Sequence, residues 1–158
     1  MEGFLFKKME NTFTISEISV TYKPKKADRP IIATAHDAMI IARKFFPEDS
    51  INLQERFIAM YLNRANRVIG IYLVSIGGIT GTVADTRLIL GVALKTAAVG
   101  IILAHNHPSG NLKPSRVDED LTRRIKEAAQ YMDIKVLDHL ILGPVDNGYY
   151  SFADEGSI

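Results

Sequence analysis

The feature that most narrows what this chain can fold into is the stretch from Val99 to Asp118, which joins a buried strand, a tight loop and the start of a helix. Val99-Gly-Ile-Ile-Leu-Ala104 is an unbroken apolar run and reads as a buried strand. Strand side chains alternate with period two, so His105 and His107 leave its end on the same side. Pro108-Ser-Gly-Asn111 is turn chemistry that reverses the chain, and Pro114-Ser115 opens an amphipathic helix. Asp118 then returns in the first turn of that helix. Two neutral imidazoles and one carboxylate suit Zn²⁺, and three protein ligands leave a fourth position open, as catalytic sites do. The simpler reading of the same residues is that Ser115-x-x-Asp118 only caps the helix, both side chains satisfying its first N–H groups.

The ordered pattern His105-x-His107, seven residues, Ser115, two residues, Asp118 resembles the signature of the JAMM (MPN+) metalloproteases. In its fuller form, HNHPSG-x3-PS-x2-D, it is similar to the bacterial RadC-like branch of that group. Glu55, in Gln54-Glu-Arg-Phe57, matches the position of the family's catalytic glutamate, and Leu137-Asp-His-Leu-Ile-Leu-Gly143 matches a later stretch. Read without the resemblance, Glu55 is a surface residue at the start of a strand. The similarity runs from about residue 50 to the end of the chain. It implies an α/β fold: a single JAB/MPN-type (cytidine-deaminase-like) domain over 51–158, with a central mixed β-sheet flanked by helices. Residues 1–50 form an N-terminal extension, an arm or strand plus a helix, packed on that core. Longer members carry a helix-hairpin-helix region, for which residues 1–50 offer no counterpart.

The same resemblance implies a zinc-dependent metallopeptidase or isopeptidase with one Zn²⁺ per chain held by His105, His107 and Asp118. A zinc-activated water would attack a peptide or isopeptide carbonyl, Glu55 would move the proton, and Ser115 would stabilise the tetrahedral oxyanion. Asp138 and His139 fall outside the ligand pattern, and a packing role or a role behind the ligands is expected of them. Glu119 and Asp120 turn away from Asp118 on the helix and are expected in solvent, as is His36.

Charge and composition bear on the rival functions. Nineteen basic against eighteen acidic residues create no global field toward nucleic acid, which counts against a repair factor, although nucleic acid stays among the partners considered. A catalytically silent interaction module of the same fold is the other rival, but a scaffold has no physical need for Glu55, His105, His107, Ser115 and Asp118 together. With no cysteine and no H-E-x-x-H, the chain cannot be a C-x-x-C zinc deaminase or a thermolysin-like protease. No apolar run approaches the ~18 residues of a membrane span. A cytoplasmic protein acting on peptide or protein substrates is expected, with homo-oligomers allowed.

The remaining elements follow from local pattern. Residues 13–23 read as an edge strand or arm, and 24–30 as a charged, proline-bracketed connection. Thr34 and Asp37 make a capping box before a helix face of Ala38, Ile41, Ala42 and Phe45. Glu55–Leu62 and Arg67–Ile76 form an antiparallel hairpin around Asn63-Arg-Ala-Asn66. Residues 77–81 form a flexible connection. Asp85 caps a helix to about Ala98 whose apolar residues spread widely enough to be covered on more than one side. The helix over 115–132 carries Val117, Leu121, Ile125, Ala128 and Met132 on its apolar face, and this helix and the preceding one are expected on opposite sides of the sheet. Ile134–Leu142 and Tyr149–Phe152, after an Asn147-Gly148 turn, are the last strands.

Overall fold

A computed structural model of the chain describes residues 16, 19, 21–25, 28–77, 83–144 and 148–158. The elements run α1 (Ala35–Arg43), β1 (Arg56–Leu62), β2 (Val68–Ile76), α2 (Thr86–Lys95), β3 (Gly100–Asn106), α3 (Arg116–Gln130), β4 (Lys135–Leu142) and β5 (Tyr149–Ser151). The strands form one five-stranded sheet in the order β2-β1-β3-β4-β5. The β3–β4 pair is parallel, with α3 as its crossover, and the other pairs are antiparallel, so the sheet is mixed.

The two central strands are apolar on both faces because both faces are covered. Phe57, Ala59 and Tyr61 of β1 and Ile101 and Leu103 of β3 pack against Ile89, Leu90 and Ala93 of α2 and Leu121, Ile125 and Ala129 of α3. The alternate residues, Ile58, Met60, Leu62, Ile102 and Ala104, meet Ala38 and Ala42 of α1 and the following Phe46 on the other face. Each fully buried Ile, Leu, Met or Phe side chain here contributes ~1.5–3 kcal/mol. Period two along β1 and β3 therefore assigns one parity to the α2/α3 layer and the other to the α1 layer.

This arrangement corrects the expectation that α2 and α3 lie on opposite sides: they share one face, and α1 covers the other. Nor is α2 covered on more than one side, since Leu94 is 57% exposed and Leu88 also faces outward. It ends at Lys95, because Thr96 bonds back to the Val92 carbonyl and Ala97 takes a left-handed φ of 53° that the helix cannot continue. After α1 the buried aromatic is Phe46 (4% exposed), while Phe45, placed on the core face from its spacing, is 47% exposed. The chain leaves helical geometry after Arg43, so the i+7 position no longer lies on the helix face. On α3 Val117 is exposed, as is Met132 beyond the helix end, and the buried stripe is Asp118, Leu121, Thr122, Ile125 and Ala129.

Local signals at the element ends match the structure. The Thr34/Asp37 capping box is present, with both reciprocal bonds, and Asp85 accepts from the Arg87 N–H at the start of α2. Between β1 and β2, Asn66 donates to the Asn63 carbonyl at 2.9 Å and adopts a left-handed φ of 54°. Most of the arm expected over 13–23 lies outside the described residues, as do 78–81 and Asn147; the described residues 16, 19 and 21–23 belong to no strand. No helix among the described residues is long and apolar enough to cross a membrane.

Candidate metal centre

His105 lies within β3, opposite Phe57 on β1 and Ile141 on β4, and its parity with Ile101 and Leu103 aims it at the α3 layer. His107 follows on the same side, its N–H held by the Leu142 carbonyl at 2.9 Å. Gly110 then closes a turn onto the His107 carbonyl with φ 77°, a left-handed angle that glycine adopts at no steric cost. The reversed chain brings the Asn111 carbonyl to 2.6 Å from His107 Nδ1. A carbonyl only accepts, so Nδ1 carries the proton and Nε2 presents its lone pair to the α3 side.

Asp118 reaches the same place through the helix start. Ser115 is the N-cap of α3: its Oγ accepts from the Asp118 N–H at 3.2 Å, and Asp118 Oδ2 accepts from the Ser115 N–H at 2.7 Å. The Ser115 hydroxyl also donates to Asp118 Oδ2 at 2.6 Å, so its proton is committed to that carboxylate. The capping box is therefore present, and the carboxylate's other oxygen is left over: Asp118 Oδ1 lies 3.3 Å from His105 Nε2. The His105 and His107 Nε2 atoms are 3.0 Å apart, and one ligand atom from each of the three residues lies within 4.8 Å of the others.

Three electron-rich atoms this close repel one another unless a cation lies among them, and this is the test that a metal site must meet. The electrostatics keep His105 neutral and Asp118 ionised. The Asp118 carboxylate beside it raises the His107 imidazole above its usual range. Burial works to raise the Asp118 carboxyl, but the neighbouring His107 and His105 imidazoles and the bonds from Ser115 outweigh it and hold it well below the carboxylate range. Burial pushes His105 down to about 4, so it is a neutral imidazole at physiological pH. His105, His107 and Asp118 fit a divalent metal ion such as Zn²⁺, which takes neutral imidazole and carboxylate ligands.

A cleft of about 370 Å³ opens beside these residues, lined among others by Glu55, His107, Asn111, Lys113 and Ser115. Glu55 stands just before β1 with the parity of Phe57, on the histidines' side of the sheet, and its carboxyl is raised by burial. Its neighbours are clamped by Asn106, whose side chain points to the opposite face from the two histidines. Asn106 Oδ1 accepts from the Arg56 N–H at 2.7 Å, and its Nδ2 donates to the carbonyls of Ile51 at 2.7 Å and Gln54 at 2.9 Å.

The residues 32–157 match the RadC-like JAB domain family. The chain belongs to that family. Among its curated relatives, a UPF0758 protein of Flavobacterium johnsoniae is 43% identical over 125 residues, covering 79% of this chain and 52% of the relative. A UPF0758 protein of Streptococcus gordonii is 44% identical over 115 residues, covering 73% of this chain and 50% of the relative. One from Porphyromonas gingivalis is 46% identical over 103 residues, 65% of this chain and 45% of the relative. The chain thus spans about half the length of these RadC-like relatives. The family match begins at residue 32 and so includes α1.

Two residues of this RadC-like site, Asn106 and Thr122, carry no local signal strong enough to single them out, whereas His139 is expected to pack or to stand behind the ligands. Asn106 reads as the spacer between two histidines and Thr122 as one more residue of a charged helix. His139 sits beside Leu103 in the parallel pairing of β3 with β4, with its Nε2 2.8 Å from His105 Nδ1. Asp138 points away from the site and accepts from the Ser151 hydroxyl and the His139 and Ala153 N–H groups, anchoring β5 and the turn after it. His36, Glu119 and Asp120 are exposed.

Proposed function

We propose that this RadC-like JAB domain is a zinc-dependent hydrolase of peptide or isopeptide bonds, with His105, His107 and Asp118 as the metal ligands, Glu55 as the proton carrier and Ser115 beside the substrate carbonyl. The observation that carries the reading is the convergence of two imidazole Nε2 atoms and one carboxylate oxygen, one of the imidazoles, His107, lining a cleft that Glu55 also lines. When bound there, the metal would supply Lewis acidity, lowering the pKa of a water toward ~7 and polarising a carbonyl oxygen.

The protein's own groups supply the rest. Glu55 has a carboxyl raised by burial, which makes it a stronger base than an exposed glutamate and suits it to take a proton from water and return it to a departing amine. Its neighbours Gln54 and Arg56 are pinned by Asn106, which limits how far the carboxylate can wander. Ser115 lines the cleft, and its hydroxyl becomes available to a substrate oxygen only once Asp118 Oδ2 no longer takes its proton. A carboxylate drawn toward a cation gives up that bond more readily, so the two roles of Ser115 alternate.

Metal analysis of the purified protein, followed by cleavage assays on peptide and isopeptide substrates with zinc-loaded and chelated samples, tests this reading. Stoichiometric zinc and chelator-sensitive cleavage are expected. Failure to retain zinc after reconstitution, or cleavage indifferent to chelation, overturns it.

A further inference from the structure

We infer that Thr122 and His139 form a positioning pair that fixes the tautomer of His105, so that its Nε2 lone pair faces the site and its proton lies on Nδ1. The inference rests on the reading of His105 as a metal ligand and extends it to two buried residues outside the ligand pattern.

The argument begins at the Asp118 backbone carbonyl, which can only accept. Thr122 Oγ1 lies 2.6 Å from it and donates its single proton there. Having no other proton, the same Oγ1 can only accept from His139 Nδ1, also at 2.6 Å, so that nitrogen carries a hydrogen. His139 is fully buried, stacked on Phe152 with centroids 4.9 Å apart and meeting the edge of Phe57 at 5.4 Å. Among the described residues no carboxylate hydrogen-bonds to its ring, and an imidazolium in such a place would bear the full cost of desolvation. The ring is therefore neutral, and its Nε2 is an acceptor. It accepts from His105 Nδ1 at 2.8 Å, which puts the proton of His105 on Nδ1 and leaves Nε2 bare.

Each link is forced by the one before it, and the starting point is the backbone of a residue whose side chain closes the site. Asp118 thus acts twice: its carboxylate faces the candidate metal position, and its carbonyl, through two neutral side chains, decides which nitrogen of His105 faces it as well. Partners of this kind behind metal-binding histidines typically change affinity by ~10–100-fold when removed. A merely structural role for Thr122 would affect stability without affecting the tautomer.

Two measurements on the full chain test the pair. Nitrogen-15 NMR of the metal-free wild type reads the histidine tautomers directly, and competition with a chromophoric chelator gives the affinity for Zn²⁺ in the wild type, Thr122→Val and Thr122→Ser. The expected result is Nδ1–H in both His105 and His139, a ~10–100-fold loss of Zn²⁺ affinity in Thr122→Val, and affinity within a few-fold of wild type in Thr122→Ser, which keeps the hydroxyl. Nε2–H in His105 of the wild type, or unchanged Zn²⁺ affinity in a folded Thr122→Val, overturns the inference. If Thr122→Val does not fold, the wild-type NMR result decides alone. If the wild type binds no Zn²⁺, the functional reading fails, while the NMR result still decides whether the pair sets the tautomer.

Discussion

His105 and His107 present their Nε2 atoms to each other at 3.0 Å, with their Nδ1 atoms held at opposite ends, one by His139 and the other by the Asn111 carbonyl. Neither ring is free to turn its other nitrogen inward. The pair is therefore preorganised to face a cation, and the cost of holding two lone pairs together is met by the fold.

The first prediction concerns His107. It lies past the end of β3 and is partly exposed, so truncating it opens no sealed cavity. His107→Ala is expected to lose stoichiometric zinc while the metal-free protein melts within a few degrees of the wild type. Metal content and thermal melting measured side by side check this, and retained stoichiometric zinc would remove His107 from the ligand set.

Glu55→Gln separates proton transfer from metal binding. The variant keeps the size of the side chain and should retain zinc, with turnover lowered by ~10²–10⁴-fold and KM little changed. Loss of zinc in this variant would make Glu55 a ligand instead. Full activity would assign the proton to another group.

Asn106→Ala tests the clamp on the segment that carries Glu55. It strips partners from one N–H and two carbonyl groups, and each such group left unpaired in the interior costs ~1–3 kcal/mol. A loss of ~3 kcal/mol or more in urea unfolding is expected, along with lower turnover at retained zinc. A stability change under ~1 kcal/mol would show that water replaces the side chain.

Acid should destabilise the metal-free protein before its ordinary carboxylates titrate. His105 is held at about 4 by burial against an ordinary 6.5, and burial lowers His139 well below 6.5 too. Between those values the unfolded chain binds protons that the folded one refuses, so stability rises with pH across that window and is lost as pH falls from 6.5 toward 4. The raised His107 imidazole acts with the opposite sign just above 6.5, and the raised carboxyls of Glu55 and Asp138 do so just above their ordinary values of 4.5 and 3.8, so the loss falls between about 6.5 and 5. Urea midpoints of chelated protein at pH 7.5, 6.5, 5.5 and 4.5 give the profile; a flat line from 6.5 to 4.5 would contradict the buried neutral histidines.

The sequence by itself determined whatever depends on neighbours a few residues apart. The period-two run into His105 and His107, the Ser115–Asp118 capping box and the Thr34–Asp37 box are all written in i to i+4 spacings, and they place two imidazoles and a carboxylate at one strand-loop-helix junction before any fold is known. Glu55 was legible only through a family pattern, because nothing in its local surroundings marks a strand-start glutamate as part of a site. Tertiary structure decided the rest. Which layer α2 and α3 join is set by the sheet order and the β3-α3-β4 crossover, and amphipathic periodicity is the same on either face. Thr122 is polar and looks solvent-facing in a helix of charges until β4 pairs with β3 and carries His139 against it. Asn106 gains its three partners from residues about fifty positions earlier. Buried hydrogen bonds between distant residues leave no periodic trace in the chain, because what selects them is the geometry of strands that meet only after folding.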